Sequence, residues 1–329
     1  MSLYDSGYSR SSIQLEKNNA DHAFLKIGLK DFISLRSLQE IRQKIATCDV
    51  VWVMSPSHIL VIPLRILTRK SIILDAGWPL ADSTMTSNDP ILRLLKKIQN
   101  YITDLASFQC ATKIILESEI QVDRVSKKFI LNKNKLKTIY TGVNESRFQN
   151  LMPVQPREIV ERGANKFILF RGKFNREAGI FTLFDLFRNN PRITIIMAIP
   201  ELPITTDIPA NVTVIDRVLL DSEIKWLYEN AVLALGQFGS TKRQQFTIPH
   251  KYFEAAYFGC PYLSPETLAL NEKLIANSYI RYQVSISLEE LINNENLEKK
   301  GNKSKENYNL NLSNKKLSIE KEKILENLR

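Results

Sequence analysis

Residues 248–263 read IPHKYFEAAYFGCPYL, and the segments on either side give that stretch its meaning. Pro249 suits the first turn of a helix, where its missing N–H costs nothing and its fixed φ is already helical. The amides of His250 and Lys251 are then left without partners inside the helix. Just upstream, residues 232–235 (VLAL) read as a strand and residues 236–241 (GQFGST) as a glycine-containing loop. A strand, such a loop and a helix N-terminus together form an anion site, and Lys251 adds a full positive charge. Glu254 stands one turn beyond His250 on the same edge, where a carboxylate can accept the hydroxyls of a ribose. Cys260 and Pro261 lead into a further strand. On spacing alone, a helix–strand joint whose Lys and Glu are merely solvated stays open.

Working outward, short apolar runs alternate with amphipathic stretches. Residues 50–54 (VVWVM), 71–74 (SIIL), 113–116 (KIIL) and 136–140 (LKTIY) are continuous and β-branched, as strands buried on both faces are. Ile91, Leu94, Leu95, Ile98, Ile102 and Leu105 form one stripe of a long helix, with Lys96 and Lys97 on the opposite, solvated face. Asp89 and Pro90 open that helix, and Ser118 with Gln121 predicts a capping box for the next. The second half repeats the scheme, with strands at 167–170, 193–197, 212–215 and 232–235. Helices are expected at 177–187, 221–230, 249–258 and 268–276. Alternation of this kind implies parallel sheets covered by helices.

Residues 151–165, with Pro153, Pro156 and Gly163 and no sustained period, read as a linker between residues 1–150 and 166–290. Residues 291–329 are rich in Asn, Lys and Glu and read as a tail, helical or disordered. The expected architecture is α/β: two doubly wound Rossmann-like domains facing a cleft, the first with a shortened N-terminal start.

A second charged stretch, residues 167–180 (FILFRGKFNREAGI), ends a strand at Arg171 and Gly172 and runs through a basic loop to a helix near Glu177. Ligands of open α/β sheets bind outside the carboxyl ends of the strands. Arg171, Lys173 and Arg176 supply there the charge a pyrophosphate needs, each charge-assisted bond contributing roughly 1.5–3 kcal/mol. An ordinary basic loop is the plainer alternative.

Composition narrows the classes. The 329 residues are 44% hydrophobic and 24% charged, which excludes wholesale disorder. Three cysteines without a CxxC exclude a disulfide framework or a cysteine zinc site and favour a reducing compartment. No stretch reads as a transmembrane helix or a signal peptide, so a cytoplasmic protein is expected, with attachment to the inner face of the membrane as an extension of that reading. The net charge of +10 asks for an acidic partner, and residues 1–150 hold 21 basic against 14 acidic side chains. Nucleic acid is not that partner, because a basic face interleaved with aromatics is missing. Arg65, Arg69, Lys70, Arg93, Lys96 and Lys97 could meet anionic lipid, or could simply form a solvated surface.

Taken together and in this order, FRGKFNREAGI, NVTVIDRVLLDSEIKWLYENAVLALG and IPHKYFEAAYFGCPYL resemble the donor-binding domain of GT-B-fold retaining glycosyltransferases, the glycosyl transferases group 1 family. ATKIILES followed by LKTIYTGVNESRF is similar to the end of that family's acceptor domain. The resemblance implies transfer of a sugar from a nucleoside diphosphate donor to a glycan, lipid-linked or small-molecule acceptor, with retention of configuration. It places Lys173 on the donor diphosphate as a catalytic cation, Glu254 on the ribose, and Gly239, Ser240 and Thr241 at the sugar and phosphate end. Gly172, Arg171, Arg176 and Lys251 complete the donor set. Two positions depart from the pattern: Ala178 stands where a second basic residue is usual, and Phe246 where the first carboxylate of a Glu-x7-Glu pair is usual.

His22, His58 and His250 are far apart in sequence and no DxD occurs, so the reading is metal-independent, with the nucleotide sugar as co-substrate and no cofactor. On the acceptor side the candidates are Ser9 and Arg10 in an N-terminal loop, Trp78 as a stacking surface, and Asp75 at a strand end as a catalytic assistant. His58 reads as structural. A sugar-nucleotide-binding relative without activity is the alternative that Phe246 and Ala178 raise. A sugar-nucleotide epimerase would need catalytic carboxylates and a histidine in the cleft.

Overall fold

A computed structural model of the chain describes residues 1–2, 24–83, 89–163, 166–203 and 207–328. Ser9, Arg10, His22 and the N-terminal loop expected on the acceptor side lie outside the described residues. The chain divides into two compact units, one of Met1–Thr141 with Leu317–Arg329 and the other of Gly142–Lys316.

The first unit runs α1 (Leu35–Ala46), β1 (Val50–Val53), α2 (Val61–Leu67), β2 (Ser71–Gly77), α3 (Pro90–Cys110), β3 (Lys113–Leu116), α4 (Glu119–Lys128) and β4 (Leu136–Thr138). Its strands form one parallel sheet in the sequential order β1-β2-β3-β4. Val51, Val53, Leu74, Ile114 and Leu116 from the strands pack with Leu64 and Phe108 from the helices into a single core. The Asp89 cap forms, its carboxylate accepting from the amides of Ile91 at 2.8 Å and Leu92 at 3.3 Å. Of the box expected at Ser118 only half forms, Ser118 Oγ accepting from Gln121 N–H at 3.2 Å while Gln121 Oε1 does not bond back.

Two expectations for this unit change. Arg65 is not a free surface cation: it donates to the carbonyls of Cys110 at 2.9 Å and Lys70 at 3.0 Å and to Thr112 Oγ1 at 3.0 Å. Lys70 donates to the carbonyls of Ile45 and Ala46, both at 2.8 Å, where it offsets the negative end of α1. The second change is larger. Helix α3 attaches through Asp104, Ser107 and Phe108, and its Ile/Leu stripe faces outward.

The second unit contains α5 (Arg157–Arg162), β5 (Ile168–Arg171), α6 (Ile180–Arg188), β6 (Ile195–Ala198), β7 (Val212–Ile215), α7 (Asp221–Asn230), β8 (Leu233–Leu235), α8 (His250–Phe258), β9 (Tyr262–Ser264) and β10 (Ile280–Arg281). The helices α9 (Leu288–Ile292) and α10 (Leu297–Asn307) follow, and α11 (Asn314–Glu326) belongs from Leu317 onward to the first unit. Its sheet is parallel, in the order β10-β9-β8-β5-β6-β7. From β5 the chain proceeds outward through β6 and β7; from β8 it proceeds the other way through β9 and β10. The junction of β5 and β8 is therefore a topological switch point, where the following connections part and leave a crevice at the carboxyl ends.

The stretch expected as a linker holds α5, whose Ile159 is fully buried, and the second unit already begins at Gly142. Residues 268–276 form turns and no helix, and the Ala269 amide ties the segment to the Gln245 carbonyl at 3.0 Å. The Asn/Lys/Glu-rich tail is helical and packed. Leu297, Gly301, Ser304, Tyr308 and Leu312 are buried at helical spacing, and Tyr308 Oη donates to Glu145 Oε1 at 2.9 Å. Two of those five are too small to register as apolar, which is why composition alone suggested a loose segment.

Candidate functional site

Three segments meet at the switch point. Strand β5 ends at Arg171, and the loop of residues 172–179 turns back before α6. The loop of residues 236–249 leaves β8 and enters α8. The two loops cross at a pair of glycines: a β-carbon on Gly179 would come within 2.3 Å of Gly239 N, and one on Gly239 within 2.0 Å of Arg176 O. Gly179 has a φ of +66°, a left-handed conformation that glycine adopts without strain. That turn delays α6 to Ile180, three residues beyond its expected start at Glu177. Phe238 N–H donates to Ala178 O at 3.1 Å, Gly239 N–H to Glu177 O at 3.1 Å, and the Gln244 side chain to Glu177 O at 2.7 Å. Ala178 thus sits buried under this crossing, its carbonyl accepting from Phe238 and its amide donating to Asn175 Oδ1 at 2.8 Å.

Glu254 lies on the first turns of α8 and is 2% exposed. Its Oε1 accepts a short hydrogen bond from Arg171 and stands 3.4 Å from His250 Nδ1, while Oε2 accepts from Tyr228 Oη at 2.9 Å. Burial opposes the charge of this carboxylate, but Arg171, His250 and the two hydrogen bonds outweigh it and hold the group down at about 2. Burial pushes the Tyr228 phenol well up, and the Glu254 charge adds to that, so Tyr228 stays a donor. His250 is lowered by burial, with Arg171 and Arg147 working against the pull of Glu254. Arg147 itself pairs with Asp221, its Nε 3.1 Å from the carboxylate.

Lys251 is the cation that this arrangement leaves unneutralised. Its Nζ stands 3.8 Å from the centroid of the Phe170 ring, and no carboxylate lies in ion-pair range among the described residues. A β-carbon on Gly172 would meet Nζ at 3.1 Å, so the glycine keeps room for the ammonium beside the end of β5. Burial, with added repulsion from Arg171 and partial relief from Glu254, lowers Lys251 to about 7. An anion placed here would restore its charge, and a helix N-terminus such as the start of α8 favours an anion as well.

The structure thus joins Arg171, Gly172, Lys251 and Glu254, with Gly239 in the adjoining loop. Lys173, Arg176 and Ser240 are exposed, Lys173, the expected catalytic cation, standing two residues beyond Arg171 on the loop. Thr241 is half-buried and donates its amide to Gln244 Oε1 at 2.7 Å. Phe246 ends a short turn, Lys242–Gln245, and brings no carboxylate to the loop. Each oxygen of Glu254 already accepts one hydrogen bond and the side chain is almost wholly buried, so the ribose contact expected of it would use a remaining lone pair. Tyr228 and His250 were not among the expected site residues. The one-turn spacing of His250 and Glu254 was the available signal; nothing local marked Tyr228, which reaches Glu254 only because α7 packs beside α8.

In the first unit, Asp75 is fully buried inside β2, which continues past it to Gly77, so it is not at the strand end expected of an acceptor group. Trp78 is half-buried just beyond. His58 is fully buried, 3.8 Å from Asp104 Oδ1, and burial lowers it to about 4. Asp104 accepts from the amides of Leu80 at 3.0 Å and Ala81 at 2.8 Å and secures that turn, as a structural pair does.

No protein-family model matches the sequence, and no curated protein matches it by sequence. Solved structures do match in three dimensions. Sucrose-phosphate synthase from Thermosynechococcus elongatus superposes with a TM-score of 0.67 at 13% identity, over 95% of this chain and 82% of that one. HepE from Anabaena in complex with UDP-glucose gives 0.64 at 13% identity, over 88% and 82%. A glycosyltransferase from Rickettsia africae gives 0.62 at 13% identity, over 93% and 84%. With two parallel α/β units and this likeness across most of its length, the chain has the fold of the GT-B glycosyltransferases.

Proposed function

We propose that the protein is a glycosyltransferase that takes a sugar from a nucleoside diphosphate donor held by the second unit. The acceptor is a glycan, a lipid-linked sugar or a small molecule. The observation that carries this reading is the meeting of Arg171 and Lys251 at the β5/β8 switch point, beside the free amides of α8. In such a transfer the bond from the sugar C1 to the donor phosphate oxygen breaks and a bond from C1 to the acceptor oxygen forms. Negative charge grows on the departing diphosphate, and fixed cations and a helix N-terminus stabilise it without a metal. With retention, the departing phosphate oxygen takes the proton of the acceptor hydroxyl on the face where the new bond forms.

In this scheme Lys251 and Arg171 bind the diphosphate, and Glu254 is a positioning residue that fixes Arg171. Lys173 and Arg176, exposed on the loop after β5, are available to the donor phosphates from the solvent side. Trp78 remains the proposed acceptor contact. HepE was captured with UDP-glucose, which makes UDP-glucose the first donor to try. The test is a thermal-shift series with UDP, GDP, ADP and dTDP and their sugars. At least one nucleotide should stabilise the protein, and Lys251→Met should reduce that shift at the same nucleotide concentration. If none stabilises it, the proposal fails.

Phe246 supports a second reading, a donor-binding relative without transfer activity, because the sugar hydroxyls lose one carboxylate partner. Nucleotide binding with no release of nucleoside diphosphate from any donor, whatever the acceptor, would favour it.

A further inference from the structure

Helix α3 is 21 residues long, about 30 Å at 1.5 Å per residue, and only one side of it touches the protein. Its buried residues are Asp104, Ser107 and Phe108, all in the C-terminal half. Asn100 donates to Leu80 O at 3.0 Å and Tyr101 stacks on Phe129 at 5.2 Å, and both belong to that half. Residues 91–99 are exposed all the way round. On the outer side Ile91, Leu94, Leu95, Ile98, Ile102 and Leu105 form an unbroken stripe, with Ile91 69% exposed and Ile102 58%. Single exposed apolar side chains are ordinary; a contiguous stripe over four turns marks an interaction surface.

The charge on the same segment selects the partner. Residues 90–103 contain Arg93, Lys96 and Lys97 and no Asp or Glu. At about 100° per residue, Lys97 falls roughly 60° beyond one edge of the stripe and Arg93 and Lys96 on the opposite side, the polar face of an interfacial helix, from which long side chains reach the headgroup layer. A second copy laid on this face would gain no charge complementarity, since residues 90–103 offer no acid to answer the partner's cations. No helix among the described residues is long and apolar enough to cross a membrane. An apolar face backed by cations without acids, on a helix that cannot span, suits a position in the plane of a lipid–water interface.

We propose that α3 lays its outer face, from Ile91 to Leu105, on an anionic bilayer surface, with Arg93, Lys96 and Lys97 at the headgroups. This surface belongs to the first unit and does not depend on the donor site being correctly assigned. It rests on the outward stripe; Arg65 and Lys70, occupied by carbonyls, take no part.

The experiment is co-sedimentation of the full chain with phosphatidylcholine vesicles and with vesicles containing about a third phosphatidylglycerol, at low and high salt. The protein should bind the anionic vesicles, bind zwitterionic ones at least tenfold more weakly, and lose affinity as salt rises. Lys96→Gln with Lys97→Gln should weaken binding roughly 30-fold, from about 1 kcal/mol per cation. Leu94→Glu with Ile98→Glu should abolish it. Both pairs are on exposed positions, and unchanged melting in the absence of lipid verifies their folding. Failure of the wild type to sediment overturns the proposal, as does equal binding to both vesicle types. So does a concentration-dependent dimer that Leu94→Glu with Ile98→Glu dissociates while lipid binding is absent. The nucleotide thermal shift of the same variants should match the wild type, so a failed donor assignment and a failed membrane assignment are read separately.

Discussion

In the second unit, Glu254 is withdrawn from water and held by Arg171, Tyr228 and His250, while in the first unit Leu94, Ile98 and Ile102 stand in solvent. Each region inverts the usual partition of polar outside and apolar inside. The two inversions have different energetics. A buried carboxylate persists because its partners supply charge and hydrogen bonds in a low-dielectric site, and removing one partner strands the other. An exposed apolar stripe has no internal partner to lose. Its retention in a stable helix places its role outside the unit. The comparison separates groups fixed by their neighbours from groups left available.

Helix α3 offers the sharpest way to break that comparison, because Phe108 and Ile98 share it. Phe108→Ala should lower stability by about 3–5 kcal/mol, since Phe108 is fully buried against Phe129, with ring centroids 5.0 Å apart. Denaturant unfolding measures this, and a loss under 1 kcal/mol would mean that α3 is not anchored as described. In the second unit, Glu254→Ala should cost about 3 kcal/mol, the low end for a broken buried pair because Arg171 is a quarter exposed. Glu254→Gln should cost less, and Arg171→Met with Glu254→Leu should recover much of the loss. A stable Glu254→Ala protein that binds nucleotide normally would return Glu254 to the ranks of solvated residues.

Lys251→Met should weaken nucleoside diphosphate binding by roughly 10- to 100-fold while leaving the fold intact. The pH dependence follows from the same residue. Lys251 stands at about 7 in the folded chain, below the ordinary lysine value of about 10.4. Between those values the unfolded chain holds a proton that the folded chain has released, so stability without ligand rises with pH across that window. The penalty is fully present below about 7 and is removed by Lys251→Met. Nucleotide binding at pH 8 should take up a proton, measurable as a dependence of the calorimetric heat on buffer ionisation enthalpy. No uptake, or the same uptake in Lys251→Met, would exclude this lysine as the diphosphate contact.

The smallest effect belongs to the outer face of α3. Leu94→Gln and Ile98→Gln should each change stability by no more than about 0.5 kcal/mol, as substitutions at exposed positions do. A loss of 2 kcal/mol in either would show that the stripe is covered within the protein.

Much of the fold was legible residue by residue. The runs VVWVM, SIIL and KIIL became β1, β2 and β3, and Asp89 and Ser118 cap the helices they were expected to cap. These features are local: β-branched runs buried on both faces, and side chains that reach an amide two or three residues away. The start of α6 was misplaced because Gly179 adopts its left-handed turn under pressure from Gly239, a residue 60 positions later. The tail was underestimated because Gly301 and Ser304 pack by being small, a property that hydropathy does not report.

The sequence by itself determined two parallel α/β units, a cationic loop after β5 and an anion-accepting helix start at Pro249, since each follows from period, propensity and charge within a short window. Only the tertiary structure decided that Arg171 would meet Glu254 across 83 positions and that Lys251 would stand uncompensated beside Gly172. It alone also decided that the apolar face of α3 would look outward. Pattern specifies that a helix has an apolar side; what that side faces depends on the elements packed around it, and those contacts are non-local.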